Sequence, residues 1–216
     1  MAGTQAGVAR AELLRKAREL GPAFAERASR YDREASFPHE NYAELREAGF
    51  LGLCIPARYG GLGASFADYM HTAAELARFC PMTALTFNMH SQTMLWTGLV
   101  SDDLDFSEAD REQHERVRAA LYRGVLEEGH IHSQPLSEGV SRGATAGVTT
   151  KAEPAEGGWR ISGRKIFASL AGAADFYNLT CMVPGETSVR FLSVPSAAEG
   201  VRIVGERDPL GMRGTD

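Results

Sequence analysis

The sequence predicts an α+β chain, with an all-α helical domain over residues 1–128 followed by an antiparallel β-domain over 129–216. Two textures carry that reading. Through the first half, apolar residues recur at three- and four-residue steps, the period of one helix face. From Gly129 onward the segments are short, β-branched or aromatic, and separated by turn residues. Bulk composition agrees with a folded chain. The 216 residues are 44% hydrophobic and 24% charged, with a formal net charge of -5. That balance can fill a core and is too mixed in sign for disorder.

Taken in order, Leu13, Ala17, Leu20, Phe24, Ala28 and Tyr31 trace one helix face between Ala9 and Tyr31. Gly21-Pro22 interrupts it, so the stripe is either one kinked helix or two, because an interior proline loses a hydrogen bond and crowds the preceding turn. Phe37-Pro38 then opens a short helix in HENYAELREAG, closed by Gly49. The stretch from Phe50 to Phe66 reads as a glycine-rich loop. Ser65 caps a helix running through Phe79, with Tyr69, Ala73, Leu76 and Ala77 inward. After Cys80-Pro81, a nearly all-apolar helix from Met82 towards Leu99 belongs at a domain centre. The acidic loop SDDLDF follows. Ser107 begins a capping pattern with Asp110, and Val117, Leu121 and Val125 form the expected inward stripe.

In the second half, AGVTTKA, WRISGRKIF, FYNLTCMV and VRFLSVP are the candidate strands. Gly157-Gly158, Ser162-Gly163, Pro184-Gly185 and Glu199-Gly200 separate them as hairpin turns, not βαβ units. The closing LGMRGTD offers no strand to cover the last edge, an association hazard. Either another chain supplies that strand or the sequence is a fragment.

Several function classes are disfavoured. An acidic balance argues against a nucleic-acid face. Cys54, Cys80 and Cys181 lie too far apart for a disulfide framework or a zinc site. No run approaches the ~18 apolar residues of a membrane span. The N-terminus has no secretory pattern, and the expected setting is reducing and cytoplasmic. His130 and His132 share a strand face around Ile131 but lack further ligands at metal spacing. His90, on the most apolar helix, reads as a satisfied core histidine rather than a substrate contact. RYGGLG and SEGVSRGATAG match neither phosphate-loop pattern, and no GxSxG elbow is present.

One constellation is stronger. It joins Pro135-Leu136-Ser137-Glu138-Gly139 to Gly163-Arg164-Lys165-Ile166-Phe167-Ala168-Ser169, followed by Ala174-Asp175. A flat, polarizable cofactor needs an aromatic side chain against it and hydroxyl or backbone donors facing its ring heteroatoms. Phe167 and Ser169, alternating to one face of a strand, would supply both, and Ser137 a second hydroxyl. The alternative is an ordinary hairpin with a core phenylalanine.

With those residues in view, the chain resembles the N-terminal domain and part of the middle domain of the acyl-CoA dehydrogenase family, collinearly from about Leu13 to Asp216. FPHENYAELREAGFLGLCIPARYGGLGASFADY is similar to the family's N-terminal signature. Gln134 to Ala144 is similar to its "alTEpgaGSD" segment, Gly163 to Asp175 to "G.K.wITN...Ad", and Leu210 to Thr215 to "lGmRgs". The resemblance implies an antiparallel β-barrel-like second domain, truncated relative to the family.

It also implies an FAD site at Gln134, Leu136, Ser137, Phe167, Ala168 and Ser169. Here Phe167 keeps a π surface while losing the N–H of the usual tryptophan. The family's serine near the CoA pyrophosphate aligns with Gly143, so Ser141 or Arg142 would take its place, Arg142 suiting a phosphate. The implied reaction is α,β-dehydrogenation of an acyl-CoA thioester, as in fatty acid metabolism. Thr86, Met89, His90 and Thr93 would line the acyl chain. The family's catalytic glutamate lies in a C-terminal helical domain, so no catalytic residue is assigned in this chain. A homo- or hetero-oligomer with a chain supplying that domain, and an electron-accepting flavoprotein or quinone system, are the implied partners. Two alternatives stay open: a flavin-dependent monooxygenase of the same fold, suggested by the small Ala168 and by Gly143, and an inactive or non-catalytic partner subunit.

Overall fold

The protein is described here from a computed structural model, over residues 7–139, 147–205 and 209–215. Helix α1 spans Arg10–Glu34 without a break, and Pro22 lies inside it. One helix, not two, is therefore the answer at Gly21-Pro22. Glycine stands at position 21 because a Cβ would overlap the Phe79 ring, so α1 passes close to Phe79. Helix α2 covers His39–Glu47, and Gly49 leaves it with φ +79°, a left-handed conformation glycine adopts without strain.

The glycine-rich stretch is part of the core. It folds into short 3₁₀ turns at Phe50–Gly52 and Ala57–Tyr59, and Phe50, Leu53 and Ile55 are fully buried. At Gly61 a Cβ would overlap the Ile55 carbonyl oxygen, so the chain doubles back on itself only with glycine there. Helix α3 spans Phe66–Ala77. Ser65 Oγ accepts the Asp68 N–H at 3.2 Å and the Asp68 carboxylate accepts the Ser65 N–H, a reciprocal cap.

Helix α4, Pro81–Leu95, starts on proline and widens into a π turn over Trp96–Val100. Helix α5, Glu108–Arg123, is capped by Ser107, whose Oγ accepts the Asp110 N–H, and also ends in a π turn, Gly124–Glu128. The expected inward stripe holds at Val125, which is buried, and at the half-buried Leu121, but not at Val117. Val117 is 53% exposed, whereas Arg118 is 2% exposed and Tyr122 is buried. Arg118 can be interior because its guanidinium donates to Asp102 at 2.5 Å, to Glu115 and to Tyr59. A buried charge with that many acceptors is tolerated where a lone one is not.

Five strands follow: β1 (His132–Ser133), β2 (Lys151–Ala155), β3 (Gly158–Ser162), β4 (Phe176–Met182) and β5 (Val189–Pro195). The two long ladders are antiparallel, β2 with β3 and β4 with β5, the latter in register from Phe176↔Pro195 to Met182↔Val189. The other edge of β4 is shared by β1 and β2. Both pair parallel to it, through His132↔Phe176 and Lys151↔Met182. The sheet is thus mixed. WRISGRKIF stays extended only to Ser162, and no strand runs through Gly163–Ser169.

One apolar core runs through the helices and takes in Leu170, Ala174 and Tyr177, so the sheet docks onto the helical half. Among the described residues, Ala152, Cys181 and Val183 form a separate small cluster at the sheet. Residues 212–215 return to this junction. The Leu170 N–H donates to the Thr215 carbonyl at 2.8 Å, and the Gly214 N–H points at Met82 Sδ at 3.3 Å. Among the described residues no helix is long and apolar enough to cross a membrane, and no three His, Cys, Asp or Glu gather as metal ligands.

Candidate functional site

The two motif segments meet through their backbones. The Ile166 N–H donates to the Ser137 carbonyl at 2.9 Å, which sets Leu136–Ser137 beside Lys165–Phe167. Beneath them lies a buried ion pair. Lys165 Nζ donates to Glu138 Oε1 at 2.5 Å and to the Thr180 carbonyl at 2.8 Å. The Glu138 carboxylate also accepts the Thr149 N–H at 2.7 Å, the Thr150 N–H at 3.2 Å, and both threonine hydroxyls. Burial opposes its ionisation, but Lys165 and the threonines outweigh that and hold the carboxyl well below the usual range. Every lone pair is committed. Glu138 is a clasp and does not take protons.

Above the clasp the surface is apolar and open. Phe167 is 77% exposed with φ +55°, a left-handed conformation costly for an aromatic residue. Leu136 is 41% exposed, Ser137 is exposed and Ala168 half-buried. The expectation that Phe167 and Ser169 alternate to one face of a strand is not met. The backbone turns at Phe167, which leaves its ring outside while Ser169 is buried. Ser169 is tied back by its own N–H to the Phe167 carbonyl at 3.0 Å, and its carbonyl accepts Ser133 Oγ at 2.6 Å. The segments carrying Gln134, Leu136 and Ser137 and carrying Phe167, Ala168 and Ser169 are thus joined at two places, by the Ser133–Ser169 and Ile166–Ser137 bonds. Ser141, Arg142 and Gly143 lie outside the described residues.

Behind the patch runs a polar seam that the sequence did not reveal. His90 Nε2 lies 2.9 Å from the Leu51 carbonyl, and His90 Nδ1 lies 3.1 Å from the His132 N–H. A carbonyl only accepts and an amide N–H only donates, so His90 is the neutral Nε2–H tautomer. Burial pushes its pKa down to about 4. Asn178 Nδ2 reaches His132 Nδ1 at 3.1 Å, the Ser133 carbonyl at 3.2 Å and Thr93 Oγ1 at 3.3 Å. Gln134 Nε2 donates to Thr93 Oγ1 at 3.1 Å, while its Oε1 is buried without a partner.

The expected acyl lining on α4 needs correction on this ground. Thr86, His90 and Thr93 are fully buried and hydrogen-bonded inside the protein, Thr86 to the Met82 and Thr83 carbonyls. Only Met89 is half-exposed. His90 and Thr93 stand one turn apart on α4, the one sequence signal that could have announced the seam. Their partners, the His132 N–H for His90 and the Gln134 and Asn178 amides for Thr93, come from distant segments of the chain.

These residues fit a flat heteroaromatic ring. Leu136 and Phe167 supply exposed apolar contact, and Ser137 an exposed hydroxyl.

Comparison with known proteins places the chain among relatives of this architecture. A family model of the acyl-CoA dehydrogenase N-terminal domain matches residues 8–101, and one of the acyl-CoA dehydrogenase middle domain matches residues 136–216. L-evernosamine nitrososynthase of Micromonospora sp. is 28% identical over 89% of this chain and 44% of its own length. Mitochondrial isovaleryl-CoA dehydrogenase of Arabidopsis thaliana is 26% identical over 89% of this chain and 46% of its own. The structure of KijD3 with FMN and a dTDP-linked amino-keto sugar superposes with a TM-score of 0.80 at 25% identity, covering 99% of this chain and 51% of KijD3. The chain therefore spans about half the length of the relatives it matches. With both domain models matching in order, and helices followed by a mixed sheet in the same arrangement, the chain belongs to the acyl-CoA dehydrogenase family.

Proposed function

We propose that this chain is the flavin-side part of an FAD-dependent oxidoreductase that dehydrogenates an acyl-CoA thioester between its α- and β-carbons. The observation that carries the reading is the exposed Leu136–Phe167 pair, carried on two segments joined by the Glu138–Lys165 clasp. A bound flavin supplies a two-electron acceptor. Phe167 and Leu136 give its ring an apolar seat, the Ser137 hydroxyl meets its polar edge, and Gln134, buried and bonded to Thr93, supports the segment that carries them. Ala168 leaves room beside the ring, and Ser169 anchors the turn that aims Phe167. Ser141 or Arg142 is the proposed contact for substrate phosphates.

Glu138 is committed to five donors, and Asp175 accepts the Ile131 N–H at 2.7 Å. In this reading the α-proton goes instead to a base on a segment or partner chain supplying a C-terminal domain. Electrons then leave to an electron-accepting flavoprotein or quinone in the cytoplasm.

A second reading, a flavin monooxygenase, is favoured by the likeness to FMN-bound KijD3 and to a nitrososynthase. One experiment separates the two. The protein is titrated with FAD and with FMN, then mixed anaerobically with acyl-CoA thioesters, and separately reduced and exposed to oxygen. Bleaching of bound FAD by an acyl-CoA supports dehydrogenation. Preference for FMN, with oxygen incorporated into an added substrate, supports the monooxygenase. Phe167→Ala should weaken flavin binding roughly tenfold, since a stacked aromatic contributes about a kcal/mol or more. Unchanged affinity in Phe167→Ala and Leu136→Ala would remove this patch as the flavin seat.

A further inference from the structure

The polar seam leaves two atoms unsatisfied, and they sit two residues apart. His132 is buried, stacked on Phe176 with ring centroids 5.2 Å apart and planes 13° apart. Its Nδ1 faces the Asn178 amide nitrogen at 3.1 Å, and that nitrogen carries only hydrogens. His132 Nδ1 must therefore be the acceptor, which places the ring proton on Nε2. That Nε2–H is buried and has no acceptor. Two positions on, Gln134 Oε1 is buried and has no donor.

Side chains two apart on an extended segment share a face. Here both rest on the same Thr93–Asn178 pair, His132 through Asn178 and Gln134 through Thr93. A donor without an acceptor and an acceptor without a donor, on one face of the same segment, are both met by one molecule that does both. Neither atom has exposed surface, so that molecule is small. Water meets these conditions, with the two polar partners an internal water requires at minimum.

We propose that His132 and Gln134 hold one internal water between them, and that this water fixes the Gln134 side chain behind the Leu136–Ser137 segment. His132 is thereby a positioning residue for the flavin seat, a role that rests on the flavin reading above. The water site itself does not.

The test reads the two parts separately. In the protein labelled with ¹⁵N-histidine, the His132 Nε2–H should give a cross-peak to a long-lived water. His132→Phe keeps a ring over Phe176 and removes the donor. It should bind FAD or FMN roughly tenfold more weakly, the scale of one lost buried hydrogen bond, and shift the bound flavin's absorption. His132→Gln, which returns an N–H near the Nε2 position, should restore both. A missing water cross-peak, or its replacement by a flavin contact when FAD is added, overturns the water site. Wild-type affinity and spectrum in His132→Phe overturn the positioning role. If the unmodified protein binds no flavin, the functional reading and the positioning role fall together, and the cross-peak still decides the water site. Should His132→Phe fail to fold, the cross-peak and the comparison of His132→Gln with wild type decide.

Discussion

The helical and sheet halves of this chain are held by different means. The helices share one continuous apolar core, from Leu13 and Phe24 on α1 through Phe50 and Ile55 to Phe87 and Met94 on α4. The sheet half has little of its own, with Ala152, Cys181 and Val183 as its separate cluster. It is organised instead by polar clasps, Glu138 with Lys165 and the threonines, and by the histidine–asparagine seam against α4. Apolar burial is non-directional and tolerates small shifts. Buried hydrogen bonds are directional and costly to leave unmade. The half proposed to hold a ring in register is the half built from directional contacts.

Acid should break this contrast most strongly. His90 and His132 are neutral in the fold, their pKa values pushed down to about 4 and about 3, first by burial and for His132 also by the neighbouring histidines. In the unfolded chain both take up protons below about pH 6.5. Their folded values lie lower, so their contribution is complete above that pH and is lost as the pH falls through the folded values. The expected slope approaches 1.4 kcal/mol per pH unit for each ring. Urea unfolding between pH 7 and 4 should show it, and His132→Phe should remove about half. A flat profile over that range would mean the seam is open to solvent.

Next in size is the clasp. Both partners are 8% exposed. Glu138→Gln leaves Lys165 buried without its counter-charge and should cost about 3 kcal/mol. The double change Glu138→Gln with Lys165→Met should cost less than the single one, because it removes the stranded charge. Thermal unfolding of the three variants checks this. A double variant no better than the single would mean the threonine bonds, not the charge, carry the clasp.

The smallest effect belongs to the helical half. Ser65→Ala removes the cap of α3 and should cost about 1 kcal/mol. It should do so without changing the pH profile or flavin affinity. A change in either would show that the α3 cap is coupled to the polar seam and the flavin seat.

How much of this was written in the chain varies residue by residue. Local chemistry was legible: the Ser65–Asp68 and Ser107–Asp110 caps, the left-handed Gly49, and the order of motifs that sets the family. So was the pairing of Leu136–Ser137 with the Lys165–Ser169 segment as one candidate site, because motif chemistry pointed there before any contact was known. Three features were not legible. Arg118 reads as a surface residue, and it becomes interior because Asp102 and Tyr59, distant in sequence, join the neighbouring Glu115 around it. The parallel pairing of β1 and β2 with β4 joins segments too distant for turn signals to reveal.

The turn at Phe167 is the third and the most consequential. By itself the sequence pointed to the two segments of the candidate site, since helix caps, glycine positions and motif spacing act over a few residues. Tertiary structure alone decided what each of them does there. Phe167 faces outward because the Ser133–Ser169 and Leu170–Thr215 bonds hold the backbone around it. Glu138 is a clasp because Lys165, Thr149 and Thr150 converge on it. The physical reason is common to both: a side chain's protonation and direction depend on which distant groups pack against it, and sequence spacing carries no record of those partners.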